Sequence, residues 1–111
     1  MSKYKAQKTT FMGKVFDSKK EADRFAQLRY MQMGKLIGGL QCQYKFVLVP
    51  EQRDEKGKVI ERAVTYIADF VYTDLKTGEL VVEDAKGVKT KDYIIKRKLM
   101  LHVHGIRIKE V

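Results

Sequence analysis

Two runs rich in β-branched and aromatic residues, 63–73 and 79–86, flank the turn-forming stretch from Thr73 to Gly78, and together they read as an antiparallel hairpin. This hairpin constrains the fold more than any other feature, because Asp69 and Asp84 interrupt strands that are otherwise apolar. A period of two puts the side chains of Asp84 and Lys86 on one face. If Asp69 faces Asp84, the numbers of facing residues sum to 153 and the hairpin centres between Lys76 and Thr77. That point lies inside the turn expected from Asp74, Thr77 and Gly78. The register predicts that Asp69, Asp84 and Lys86 converge near one spot.

The rest of the chain supplies elements to pack against this hairpin. Thr9 to Met12 and Lys14 to Phe16, on either side of Gly13, read as two short extended pieces that follow a basic tail over residues 1–8. Asp17-Ser18 caps an amphipathic helix, with Ala22, Phe25 and Ala26 on one side, that closes near Gly34. Gly38-Gly39 breaks the chain, Tyr44, Phe46 and Leu48 then mark a strand that ends at Pro50, and Glu51 to Lys58 is expected as a charged, solvated turn between strands. Thr90 caps a second helix through Tyr93, Ile95, Leu99 and Val103, Gly105 lies just past its end, and Ile106-Arg107-Ile108 alternates as a closing strand. This order makes an α/β sandwich around a central sheet.

At 111 residues the chain is expected to be one domain, 1–111, and 44% hydrophobic with 33% charged residues is an ordinary globular composition. There are 23 Lys and Arg against 14 Asp and Glu, a net charge of +9 that favours a polyanionic partner, nucleic acid first among them. No apolar stretch reaches the roughly 18–20 residues of a membrane span, and Met1 to Lys5 lacks the apolar segment of a secretory signal. A cytoplasmic location is therefore expected. The single cysteine, Cys42, has no histidine close in sequence and reads as a half-buried structural thiol.

Two carboxylates brought together repel unless a positive charge lies between them, and hard oxygen donors suit Mg²⁺, with Mn²⁺ able to substitute. Such an ion polarises a phosphodiester oxygen and activates water, while the Lys86 ammonium orients that water or stabilises charge in the transition state. The competing reading is a plain cross-strand ion pair between Asp69 and Lys86, with Asp84 solvated at a strand end. Spacing also makes Ser18-x-x-Glu21 a capping box, in which Glu21 reaches back to the Ser18 amide. Glu83 points away from Asp69 and Asp84, and solvation or a surface lysine is expected for it.

The blocks Phe16-Asp17-Ser18-Lys19-Lys20-Glu21-Ala22, Tyr66-Ile67-Ala68-Asp69-Phe70, Val82-Glu83-Asp84-Ala85-Lys86-Gly87 and Ile95-Lys96-Arg97-Lys98-Leu99 resemble, in that order, a family of small phage proteins of the PD-(D/E)xK nuclease superfamily. The likeness spans nearly the whole chain. It implies a restriction-endonuclease-like core, a central mixed β-sheet flanked by α-helices, and metal-dependent cleavage of DNA. By the same likeness Glu21, Asp69, Asp84 and Lys86 are catalytic, and Glu21, Asp69, Asp84 and the carbonyl of Ala85 hold the metal. Two departures stand out: the motif proline is Ala68, and the second acid is Asp84 where many relatives carry Glu. Small members resemble Holliday junction resolvases that act as homodimers in phage recombination or replication within the bacterial host. Branched or duplex DNA is thus the expected partner.

Lys89, Lys91, Lys96 and Lys98, with Arg97 among them, follow the motif closely and fit a track for backbone phosphates. A charge run of this kind is also the usual solvated face of a helix. The His102-x-His104 spacing does not share a helix face, and a helix C-terminus accounts for both rings without a metal. Two rival readings stay open, a nicking or end-processing nuclease on the same core and a basic DNA-binding module without catalysis.

Overall fold

The computed structural model describes residues 8–85 and 88–111. The chain opens with a small hairpin, β1 (Thr9–Phe11) against β2 (Lys14–Phe16), in which Met12 and Gly13 both turn through positive φ. Helix α1 (Lys19–Met33) follows, and the Ser18 hydroxyl accepts the Glu21 amide at 3.1 Å as its cap. The helix does not end on a left-handed glycine. Gly34 stays at φ −81°, and Lys35 takes the left-handed position at φ 60° while Leu36 N–H reaches Met31 O.

Strand β3 runs over Ile37–Val49 and therefore begins well before the start expected from Tyr44. Gly38-Gly39 does not break the chain. It sits in a register shift between Gly38 and Gln41, where Gly39 at φ 65° absorbs the irregularity. The charged turn after Pro50 lies between strands of its own: β4 (Gln52–Arg53) and β5 (Val59–Glu61) pair across a turn in which Asp54 accepts the amides of Lys56 and Lys58. The main hairpin is β6 (Val64–Asp74) and β7 (Leu80–Asp84). Its facing pairs are Phe70 with Glu83, Val71 with Val82, Tyr72 with Val81 and Thr73 with Leu80, each again summing to 153.

Helix α2 (Lys91–His104) is capped by Thr90 and ends on Gly105 at φ 67°. The closing strand is displaced from the expected Ile106–Ile108 to β8 (Lys109–Glu110), because its parallel partners on β7 are Glu83 and Asp84. The main sheet has the order β3-β6-β7-β8, antiparallel except for the last pair, so the fold is a mixed sheet with a helix on each face. Among the described residues no helix is long and apolar enough to cross a membrane.

Two hydrophobic clusters hold the layers together. Tyr93 and Met100 of α2 pack with Leu48, Tyr66, Ala68, Val71 and Val82, whereas Ala22, Phe25 and Leu28 of α1 pack with Phe16, Ile37, Phe70 and Tyr72. Tyr66 and Ala68 thus face α2, while Phe70 and Tyr72, of the same parity, face α1. Phe46 and Leu48 against Leu40 and Cys42 show the same exchange on β3. Both strands change faces together at Gln43 and Asp69, and Gln43 has φ 54° there. The pairing keeps step on either side, Cys42 with Phe70 and Tyr44 with Ala68.

Candidate functional site

The acids meet at this change of faces. The register of β6 and β7, continued one step, sets Asp69 beside Asp84, and there the Ala85 N–H donates to Asp69 Oδ2 at 2.7 Å. Ala85, the residue whose carbonyl is a candidate ligand, is therefore fixed at the same end of the hairpin. Asp84 is fully buried on the α2 side, where Tyr66 donates to its Oδ2 at 2.5 Å. Burial and that hydrogen bond push the Tyr66 hydroxyl far above its ordinary pKa, so it remains a donor.

Glu21 reaches the site from the first turn of α1. The capping box forms only in part, because Ser18 caps the Glu21 amide while the Glu21 carboxyl turns inward, 3% exposed, and accepts from Gln43 Nε2 at 2.8 Å. Its pKa is pushed up to about 7, first by burial and then by the negative charges of Asp69, Asp17 and Asp84. Glu21 therefore lies in the field of both motif aspartates, and Asp69 is the stronger influence. Among the described residues no three or more His, Cys, Asp or Glu side chains form a group that could hold a metal ion. Lys86, the expected catalytic ammonium, lies outside the described residues.

Glu83 departs from expectation. It does face away from Asp84, yet it is neither solvated nor paired with a lysine: Arg24 Nε and Nη2 donate to its two oxygens at 2.7 Å each, and Tyr72 donates to it as well. Burial alone would raise the Glu83 carboxyl, but the hydrogen bonds from Arg24 and Tyr72 outweigh burial and hold it below the ordinary value. The sequence carried a signal for this pair. Arg24 stands three residues after Glu21 and four before Leu28, on the buried stripe of α1.

The lysines proposed for DNA are not alike. Lys89 pairs with Glu110 at 3.3 Å and Lys96 with Asp92 at 3.4 Å, whereas Lys91 and Lys98 are exposed on α2. Glu110 also accepts from Tyr93 at 2.8 Å and from Arg97 at 3.1 Å, which ties β8 to α2. The His104 ring nitrogen Nε2 lies 2.8 Å from the Val47 carbonyl, which ties the end of α2 to β3.

No curated protein and no solved structure matches the chain. Over residues 1–109 it matches the family model described as "Protein of unknown function (DUF1064)", and the chain belongs to that family.

Proposed function

We propose that the chain is a metal-dependent DNA endonuclease with a restriction-endonuclease-like core, acting as a homodimer on branched DNA in the manner of a Holliday junction resolvase. The observation that carries this reading is the convergence of Asp69, Asp84 and Ala85 at one end of the β6–β7 hairpin, with the buried Glu21 carboxyl in the field of both acids. Carboxylates brought to one end of a hairpin favour a cation there, and all-oxygen donors fit Mg²⁺ better than a softer ion. Asp69, Asp84, Glu21 and the Ala85 carbonyl would hold the ion. When bound, it supplies Lewis acidity toward a phosphodiester oxygen and activation of water. The chain's own contribution is positional. Ala85 N–H fixes Asp69, Tyr66 fixes Asp84, and Lys91 and Lys98 are free to meet backbone phosphates from α2. Two symmetric incisions need two such sites, which is the argument for a dimer.

A binding module without catalysis is the rival from another class. The complete burial of Asp84 against Tyr66 favours it, since a structural acid would look the same. Cleavage of a four-way junction, a flap and plain duplex, with and without Mg²⁺, separates resolvase from nicking or end-processing enzyme and from the module. Asp84→Asn keeps the shape and the acceptor for Tyr66, and with Asp84→Ala it should lower cleavage about 1,000-fold or more, the equivalent of ~4 kcal/mol. DNA binding should persist or tighten, because a negative charge facing phosphate is gone. Wild-type rates in Asp84→Asn, with folding verified by thermal melting, would reject the assignment.

A further inference from the structure

We infer that Gln43 is a positioning residue, whose left-handed backbone and side-chain amide hold the Glu21 carboxyl turned toward Asp69. This rests on the nuclease reading and adds a residue that the motif does not contain. Gln43 occupies φ 54° in the middle of a strand, a conformation that costs energy for any residue with a Cβ, and unlike Met12 and Lys35 it has no turn or helix end to account for it. The strain serves no register shift: the pairing keeps step on both sides of Gln43, where the strands change faces, unlike the shifts at Gly38/Gln41 and Val47/Val49. A purely architectural need for left-handed backbone at the change of faces would be met better by glycine or asparagine. Glutamine is one methylene longer than asparagine, and that length delivers its Nε2 to Glu21 Oε1 at 2.8 Å. The side chain of Gln43 otherwise lies at the surface, so its reach toward a buried acid is specific.

The partners that orient metal-binding carboxylates typically contribute about 10–100-fold in metal affinity. Mn²⁺ alone is the probe, titrated calorimetrically into the full chain and into Gln43→Gly and Gln43→Asn. Both variants tolerate left-handed backbone and lose the amide at Glu21. The expected result is a chain that still unfolds cooperatively without metal, together with Mn²⁺ affinity weakened by about 10–100-fold. In a Glu21→Ala background, Gln43→Gly should then change Mn²⁺ affinity no further, since it acts through Glu21. Unchanged affinity, or an additive loss in that background, overturns the role of Gln43. Absence of Mn²⁺ binding by the wild-type chain rejects the metal-centre reading itself, a failure distinct from intact binding by Gln43→Gly.

Discussion

Glu21 shows what one buried acid does to the pH response of a small domain. Its folded-state pKa of about 7 stands above its ordinary value of 4.5, so between those limits the folded chain keeps a proton that the unfolded chain has released. Stability from this group is complete below pH 4.5 and declines as pH rises toward 7. Comparing denaturant unfolding of wild type with Glu21→Gln, which stays neutral, isolates the effect: the wild type should lose stability relative to the variant across that window, and parallel curves would remove Glu21 from the account. This inward carboxyl was legible only in part. Spacing alone favoured the cap with Ser18, and the resemblance to the nuclease family pointed toward the site. Gln43 carried no sequence signal at all, since a left-handed residue within a strand follows from the surrounding layers and not from local propensity.

Among the elements, β7 carries the clearest division of labour. Glu83 and Asp84 are neighbours, yet the pleat sends one toward α1 and the other toward α2. Arg24 and Glu83 form a buried ion pair joining α1 to the sheet. Removing one partner leaves the other charge buried without compensation, so Arg24→Met should destabilise the fold by about 3–5 kcal/mol. Pairing the change with Glu83→Leu should recover much of that loss. Chemical denaturation of the single and double variants tests it, and an additive double loss would show that the two residues act independently. The elements themselves were mostly legible. Both helices carry strong caps at Ser18 and Thr90, and the hairpin register followed from matching two acids across one turn. What escaped the sequence were Gly38-Gly39, absorbed as a bulge inside β3, and the start of β8, which depends on a parallel partner distant along the chain.

For the molecule as a whole, the proposed DNA binding by a chain of net charge +9 should weaken with salt, by about 0.9 log units per log unit of salt for each phosphate neutralised. Lys89 and Lys96 are already engaged by Glu110 and Asp92. Lys91→Gln and Lys98→Gln should therefore flatten the salt slope more than the same change at Lys89 or Lys96, as measured by fluorescence anisotropy on duplex DNA. Equal slopes in all four variants would place the phosphate track elsewhere.

The molecule is also long for its mass, 52 × 41 × 24 Å with a radius of gyration of 16.2 Å, against about 13 Å for a compact chain of this length. Neither hydrophobic cluster draws a residue from 49–65, the stretch that holds the β4–β5 tip. The ribbon beyond Pro50 is thus an appendage whose sequence can drift, lengthen or be exchanged between related chains while the body that carries the acids stays intact.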